Sequence, residues 1–328
     1  MSGQELARSF YLERVRPLLD GVDHAAGLLG EGSEILGYDD EISTDHDFGP
    51  RVQIFTDSPV PVLPEGTVVT TAAAFFTDRL GVDPAAGLTL ADWLLTPSQR
   101  LATLNAGAVF HDPAGELARR RAALAWYPDD VWRYVLAAQW LRIGQEEAFV
   151  GRTGGTGDDL GSSVVAARLV RDLIRLAFLV ERRWAPYSKW LGRGFAGLEL
   201  ASTVGPHLAA AVAARDWRER EAAICAAGRL LGDATNRLGL AVEVDPAPRP
   251  FYTRDIQVVA ADRFTMALAE AVTDPEVRAL LARLGKRRED IYVIPGTIDQ
   301  AVDSVDVIRS PASCRAVATV LGLAAPVG

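Results

Sequence analysis

The hydrophobic pattern changes at about residue 115, and this change limits the folds that the chain can adopt. Before that point, short runs rich in β-forming residues alternate with polar turns, at 51–55, 68–76 and 108–110. Such runs are typical of strands. After it, bulky apolar residues recur at helical spacing over long segments, including 116–149, 195–214 and 216–239. The sequence therefore predicts an α+β fold, with a small domain of mixed α and β structure over 1–115 and a mostly helical domain over 116–328.

A glycine-rich segment interrupts the helical part at 151–159. It lacks the preceding strand and the lysine of a phosphate-binding loop, so we interpret it as a mobile linker or lid. Ser162 or Ser163 is then expected to cap a long helix that reaches about Trp184.

Length and charge narrow the classes of protein further. The chain has 328 residues, and folding units of ~100–200 residues are common, so two domains are expected. Apolar residues make up 49% and charged residues 23%, which argues against intrinsic disorder. A formal net charge of −9 disfavours a protein that coats nucleic-acid backbones, because phosphates require a basic surface.

The few lysines and cysteines exclude several kinds of site. Neither lysine, Lys189 or Lys286, is followed by serine or threonine, so no Walker A loop exists. The two cysteines, Cys225 and Cys314, cannot form a cysteine-based zinc finger or an iron–sulfur site. No apolar run reaches ~18 residues. The charged N-terminus lacks the apolar core of a signal peptide, and we therefore expect a cytoplasmic protein without a membrane span.

The strongest chemical signal is a Gly32-Ser33 pair followed, twelve residues after the serine, by Asp45-x-Asp47. In a strand, residues i and i+2 project from the same face, so the two aspartates would lie side by side. Paired carboxylates suit a hard cation such as Mg²⁺, which also takes substrate phosphate oxygens. A Gly-Ser turn offers N–H groups and a hydroxyl to phosphate. This combination points to phosphoryl or nucleotidyl transfer.

The segment GEGSEILGYDDEISTDHDFGPRVQIF resembles the signature of the DNA polymerase β-type nucleotidyltransferase superfamily. Together with the later tract RRWAPYSKWLGRGF, it resembles the DUF4037 branch of bacterial nucleotidyltransferase-like proteins. The resemblance implies a mixed sheet flanked by helices and a helical domain that closes over the nucleotide. It also implies that Asp45 and Asp47 hold metal, and that Gly32 and Ser33 bind the triphosphate.

The chain departs from the superfamily pattern at the third carboxylate, which usually lies on a later strand. Here the candidate strand, 67–71, contains no acidic residue, and the acids near it in sequence are Glu65, Asp78 and Asp92. Three alternatives stay open. An acid can arrive from elsewhere, the base can be dispensable, or the activity has been lost.

Basic residues of the helical part give further candidates for phosphate binding. Three arginines of the long helix lie at i, i+3 and i+7, which places them on one face: Arg168, Arg171 and Arg175. They either face the cleft and bind phosphate, or form a surface stripe that pairs with Asp172 and Glu181. Lys189 is either a triphosphate or acceptor ligand or a surface lysine. Arg51 either pairs with a carboxylate or reaches a phosphate.

These observations predict a Mg²⁺-dependent nucleotidyltransferase that moves a nucleoside monophosphate, AMP from ATP, to a hydroxyl of an acceptor. The net acidity favours a small molecule over a nucleic acid as that acceptor. One alternative is a catalytically inactive protein of the same fold that binds nucleotide as a sensor or partner. Another is a helical scaffold in which the α/β part is vestigial.

Overall fold

The computed structural model describes residues 2–38, 49–288 and 291–324. The chain divides into two compact units. Unit 1 comprises Met1–Trp126 and Ser304–Ala316, and unit 2 comprises Tyr127–Asp303 and Val317–Gly328. The boundary placed at residue 115 from the sequence lies within unit 1 of this division, and the domain limits 1–115 and 116–328 stay a prediction.

Unit 1 contains a four-stranded mixed sheet in the order β3-β2-β1-β4. The strands are β1 (Ala25–Leu28), β2 (Val52–Phe55), β3 (Thr67–Thr70) and β4 (Ala108–His111). β1 is antiparallel to both β2 and β4, whereas β2 and β3 run parallel. The predicted strands at 51–55 and 108–110 are therefore confirmed, and so is the α+β class.

The described part of unit 1 also contains five α-helices before residue 124. They are α1 (Gly3–Phe10), α2 (Ala72–Leu80), α3 (Leu90–Leu95), α4 (Ser98–Asn105) and α5 (Glu116–Ala123). α1 begins with a capping box, in which Ser2 and Glu5 satisfy each other's backbone N–H groups. The chain after α1 packs against β1 and β2 and forms a core cluster with them: Tyr11, Val15, Leu19, Ala26, Val52 and Ile54.

The strand predicted over 68–76 is only partly correct, because β3 ends at Thr70 and α2 begins at Ala72. The hydroxyl of Thr71 accepts a hydrogen bond from the N–H of Ala74 at 3.0 Å and caps the helix. α2 then buries Phe75 and Phe76. A local cap and a buried helical face therefore override the strand-like composition.

Unit 2 is mostly helical, as predicted. Its helices are α6 (Asp129–Glu146), α7 (Phe149–Gly154), α8 (Asp159–Val180), α9 (Leu191–Ala196), α10 (Ala201–Ala213), α11 (Trp217–Arg237), α12 (Asp262–Glu270), α13 (Pro275–Leu284) and α14 (Ile298–Ala301). Trp140 of α6 is fully buried and stacks on Phe264 of α12, with ring centroids 4.3 Å apart. Trp132 donates from Nε1 to the carbonyl of Leu179 at 2.9 Å, which joins α6 to α8.

The glycine-rich segment differs from the loop expected over 151–159. α7 extends to Gly154, and Asp158 caps α8 by accepting from the N–H of Gly161 at 2.8 Å. Ser162 is fully buried and accepts from Nη1 of Arg220 at 3.2 Å, so it does not cap the helix. The expected serine cap and the extension to Trp184 are wrong, because the acidic residue at 158 caps the helix earlier and α8 ends at Val180.

The remaining elements are small. β5 (Arg249–Pro250) pairs with β6 (Gln257–Val258), and β7 (Lys286–Arg288) pairs with β8 (Ile291–Tyr292), both antiparallel. α15 (Val305–Arg309) and α16 (Pro311–Ala316) belong to unit 1. Over the ranges that the structure describes, no helix combines the length and the apolar character needed to cross a membrane.

Candidate functional site

The segment Gly30–Ser33 follows β1 closely and bends sharply at its two glycines. Gly30 has φ of 98° and Gly32 has φ of 140°, which are conformations that residues with a side chain rarely adopt. A Cβ atom on Gly32 would lie 2.6 Å from Nη2 of Arg51. Both positions therefore require glycine for the backbone to follow this path. We call this segment the glycine turn.

Side chains and backbone from three directions hold the glycine turn in place. The amide of Gln53 on β2 accepts from the N–H of Leu29 and donates to its carbonyl, both at 2.9 Å. Beyond the turn, Gln4 donates from Nε2 to the carbonyl of Ile35 at 3.2 Å. The N–H of Gly107 donates to the same carbonyl at 2.9 Å. The residues on either side of the turn are thus held by β2, α1 and the segment just before β4.

Arg51 lies beside the glycine turn and pairs with a carboxylate. It forms an ion pair with Glu34, and its Nη2 donates to the carbonyl of Glu31 at 2.9 Å. The Glu34 side chain is only 14% exposed, so water screens this pair weakly. Of the two roles left open by the sequence, the structure contains the carboxylate pairing.

Ser33 occupies the end of the glycine turn, next to Gly32 as the motif requires. Its carbonyl accepts from the N–H of Tyr38 at 2.9 Å. Its half-buried hydroxyl forms no hydrogen bond within the described segments. The assignment of Gly32 and Ser33 to the triphosphate stays a prediction.

Asp45 and Asp47 lie outside the described residues, so their role as metal ligands also stays a prediction. Elsewhere, within residues 2–38, 49–288 and 291–324, no group of three or more His, Cys, Asp or Glu side chains could hold a metal ion.

The acids considered for the third carboxylate are placed as follows. Glu65 is exposed, and the Asp78 side chain is 82% exposed. Asp92 is buried and caps α3 by accepting from the N–H of Thr89 at 2.9 Å, and it also accepts from Arg315 at 2.9 Å. Burial acts to raise the pKa of Asp92, but the hydrogen bonds from Thr89 and Arg315 outweigh it and lower the pKa. Asp92 is therefore a structural carboxylate.

Two of the three arginines on the predicted phosphate-binding face of α8 contact the segment that includes α14. Arg171 pairs with Asp303 at 3.0 Å, and Arg175 donates from Nη1 to the carbonyl of Asp299 at 2.7 Å. Burial lowers the pKa of Arg175 despite the charge of Asp299. These contacts lie within unit 2. Binding of phosphate by Arg171 and Arg175 stays a prediction.

The other basic candidates of unit 2 are more exposed. Arg168 pairs with Glu146 at 3.1 Å, and its side chain is 50% exposed. Lys189 is exposed, and its Nζ lies 4.7 Å from the ring centroid of Trp190, which is within cation–π distance. Trp190 itself is buried. The proposed phosphate or acceptor role of Lys189 is not tested by these contacts.

Arg79, which received no role from the sequence, lies against the glycine turn. Its Nε is 3.3 Å from the position that a Cβ atom on Gly30 would occupy. The guanidinium stacks on Phe75, with Cζ 3.8 Å from the ring centroid. The sequence signal for this stacking is the i, i+4 spacing of Phe75 and Arg79 on one helix face.

Comparison with known proteins finds one family model that matches part of the chain. Residues 93–191 match DUF4037, a domain of unknown function. The predicted similarity to DUF4037 is therefore confirmed over these residues, whereas the glycine turn lies outside them. No curated protein matches the chain. Among solved structures, it is similar to a nucleotidyltransferase-like protein from Exiguobacterium sibiricum, at 13% identity and a TM-score of 0.33, over 88% of this chain and 97% of that chain.

Proposed function

We propose that the chain is a Mg²⁺-dependent nucleotidyltransferase of the cytoplasm that transfers AMP from ATP to a hydroxyl of a small acceptor. The observation that carries the proposal is the backbone path at Gly30 and Gly32, which bends sharply at the end of β1 beside β2. The Asp45-x-Asp47 pair lies between this turn and β2 in the sequence. A glycine turn and a carboxylate pair so arranged suit a polyphosphate with its cation.

The glycine turn supplies the groups that bind phosphate oxygens. Glycine allows the backbone to approach a ligand closely, and successive N–H groups in such turns form anion-binding concavities. The Ser33 hydroxyl adds a donor. In this proposal Gly32 and Ser33 bind the β- and γ-phosphates and orient the α-phosphate for attack.

The Asp45-x-Asp47 motif suits Mg²⁺ by the chemistry of its side chains. Two carboxylates are hard oxygen ligands, and Mg²⁺ commonly takes one or two of them together with substrate phosphate. Asp45 and Asp47 would hold the cation. When bound, it neutralises charge on the α-phosphate and on the departing pyrophosphate.

The acceptor hydroxyl oxygen attacks the α-phosphorus and releases its proton to water. The bond between the α-phosphorus and the oxygen that bridges to the β-phosphorus breaks, and pyrophosphate leaves. Arg171, Arg175 and Lys189 are the proposed cationic groups on the helical side.

A catalytically inactive nucleotide-binding protein is the second candidate, and one observation favours it. β3 carries no acid, and Asp92 is held by Thr89 and Arg315. A general base for the acceptor hydroxyl is therefore not identified in the described part of unit 1. Such a protein would bind ATP with Mg²⁺ and act as a sensor or partner.

Release of pyrophosphate tests the enzyme proposal. The wild-type chain is incubated with ATP, Mg²⁺ and a panel of hydroxyl acceptors, beside the double variant Asp45→Asn/Asp47→Asn. The matched control is Asp20→Asn/Asp23→Asn, which removes the same charge from two exposed aspartates of unit 1. We expect turnover in the wild type and the control, and its loss in the first variant. Equal turnover in all three would contradict the proposal.

Calorimetric titration with ATP and Mg²⁺ separates the enzyme from the sensor. Binding without turnover on any acceptor favours the sensor. Absence of binding contradicts both and favours a scaffold, in which case ATP also fails to raise the melting temperature.

A further inference from the structure

Arg79, on the last turn of α2, presents one edge of its guanidinium to the glycine turn. Nε lies 3.3 Å and Nη2 lies 3.8 Å from the position that a Cβ atom on Gly30 would occupy. Gly30 has no such atom, so Nε and Nη2 can lie close to the backbone of the turn. Nε and Nη2 form the side of the guanidinium that binds an oxyanion through two parallel hydrogen bonds.

The guanidinium is held in this orientation by two contacts with Phe75. It stacks on the ring, with Cζ 3.8 Å from the centroid, and Nη1 donates to the Phe75 carbonyl at 3.1 Å. Phe75 is buried and packs edge-on against Phe55 of β2, with centroids 5.3 Å apart. The guanidinium of Arg79 therefore stacks on the Phe75 ring, which itself packs against β2 of the sheet.

Within the described parts of the chain, Nε and Nη2 of Arg79 donate no hydrogen bond. The Asp78 carboxylate lies 3.6 Å from Nη1, on the opposite side of the guanidinium, and no described acceptor bonds Nε or Nη2. Neighbouring arginines differ in this respect. Arg51 contacts Glu34 and the Glu31 carbonyl, while Arg100 donates to the Arg79 carbonyl at 2.6 Å.

Partial burial of the Arg79 guanidinium favours the binding of an anion. The Arg79 side chain is 34% exposed, and burial lowers its pKa while the charges of Asp78 and Glu31 act to raise it. A half-buried guanidinium has lost part of its hydration, so a bound oxyanion restores hydrogen bonds that the fold has removed.

We propose that the Nε–Nη2 edge of Arg79, together with the glycine turn, forms an oxyanion site for the terminal phosphates of a nucleoside triphosphate. The inference rests on the proposed function, since it names the residue that binds the leaving pyrophosphate portion of the donor. Arg79 contacts two neighbouring phosphoryl oxygens, and the Ser33 hydroxyl contacts another. The site lies entirely within unit 1.

Inorganic tripolyphosphate is the probe, because it carries the phosphate chemistry without nucleoside or acceptor. Its binding to the full-length chain is measured by calorimetry without added metal, for the wild type, Arg79→Lys and Arg79→Gln. The control is Arg14→Gln, which removes an exposed arginine of unit 1. Melting temperature and near-ultraviolet circular dichroism report whether each variant is folded.

Lysine keeps the charge but loses the planar fork, so we expect Arg79→Lys to bind about tenfold more weakly. Arg79→Gln loses both charge and fork, and we expect a larger loss, with the control unchanged. Wild-type affinity in folded Arg79→Lys and Arg79→Gln would overturn the inference, and so would absence of binding to the wild type. Should only one variant fold, that variant decides.

The inference and the proposed function can fail separately. Tripolyphosphate binding that depends on Arg79, without pyrophosphate release from ATP by the wild type, retains the oxyanion site and removes the transferase. Conversely, pyrophosphate release by Arg79→Gln with an unchanged KM for ATP retains the transferase and removes the role of Arg79.

Discussion

The side-chain amide of Gln53 forms two hydrogen bonds with the backbone of Leu29, accepting from its N–H and donating to its carbonyl, both at 2.9 Å. Leu29 is 1% exposed. The amide continues the antiparallel pairing of β1 with β2 beyond Gly27 and Gln53. A side chain of β2 therefore fixes the backbone of Leu29, the residue just before the glycine turn.

Replacement of Gln53 by leucine is expected to destabilise the fold by about 2–4 kcal/mol, because both Leu29 backbone groups would be buried without a partner. The free energy of unfolding in urea measures this effect, and tripolyphosphate affinity should fall as the turn loosens. Gln145→Leu, at an exposed position of α6, is the control. A loss below about 0.5 kcal/mol would mean that water replaces the amide.

The two glycines at positions 32 and 37 allow a matched comparison. Gly32 has φ of 140°, and an added Cβ would meet the Glu34 carboxylate and lie 2.6 Å from Arg51 Nη2, whereas Gly37 has φ of 70° and no described atom within 4 Å of its added Cβ. Gly37→Ala carries only the backbone strain of a left-handed residue, about 1 kcal/mol. Gly32→Ala adds a collision with the ion-paired Glu34 and Arg51 side chains and should lose more stability and most of the tripolyphosphate affinity. Equal losses in urea unfolding would refute this order.

Part of this architecture is readable from the sequence because the signals are local. The Val52–Phe55 run alternates toward a buried face, and the aromatic residues of α6 recur at helical spacing. The glycine turn is readable because only glycine tolerates its backbone angles. The match to DUF4037 over residues 93–191 agrees with the later tract on which that similarity was predicted.

Other features depend on contacts between distant segments. Arg79 and Gly30 are far apart in the sequence, and only the packing of α2 on the sheet brings them together. In the same way, the sequence suggests Asp172 as a partner of the α8 arginines, yet Asp172 pairs with Arg142 and Arg171 pairs with Asp303. Helical spacing shows which residues share a face, but not which element covers that face.

The pairing of Arg142 with Asp172 predicts that the stability of unit 2 depends strongly on both residues. Arg142 Nε lies 2.9 and 3.0 Å from the two carboxylate oxygens, and Nη1 donates to the Gln300 carbonyl at 2.9 Å. Asp172 is 2% exposed. Removing one partner leaves a poorly hydrated charge, so Asp172→Leu should lose about 3 kcal/mol.

A double-mutant cycle separates this effect from lost packing. Arg142→Met/Asp172→Leu should be less destabilised than the sum of the two single variants, because no unpaired charge is left. The measurement is the free energy of unfolding in urea for the wild type, the two single variants and the double variant. Strict additivity would show that the pair contributes little.

The burial of the Glu147 carboxyl in unit 2 predicts that the protein loses stability as the pH rises. Burial raises its pKa to about 7, although the N–H groups of Ala261 and Val259 donate to its oxygens at 2.9 and 2.8 Å and oppose the shift. The folded state thus keeps a proton that the unfolded state releases from about pH 4.5. This stabilisation is complete below that pH and is lost as the pH rises through about 7.

The corresponding free energy is about 3 kcal/mol, from a shift of this size. Urea unfolding of the wild type and of Glu147→Gln at pH 5 and pH 8 measures it, and the difference between the two proteins should change by that amount. The amide introduced by the substitution does not titrate, so this variant serves as the reference. A pH-independent difference would show that Glu147 is ionised throughout.

The surroundings of His111 in unit 1 predict the opposite trend, which is a loss of stability as the pH falls. Its ring lies 4.8 Å from that of His24. The His24 ring is fixed in place, because Nδ1 donates to the Val22 carbonyl at 2.8 Å and Nε2 lies 2.9 Å from the Tyr11 hydroxyl. Burial, followed by the charges of His24 and Arg16, lowers the pKa of His111.

Because the folded state disfavours the charged form, the contribution of His111 is complete above the unfolded pKa of about 6.5 and is lost as the pH falls below it. The difference in unfolding free energy between the wild type and His111→Gln should therefore shrink between pH 7.5 and pH 5. His207→Gln, in α10 of unit 2, is the control and should leave the wild-type acid dependence in place. If His111→Gln also leaves it unchanged, the ring is already solvated in the folded protein.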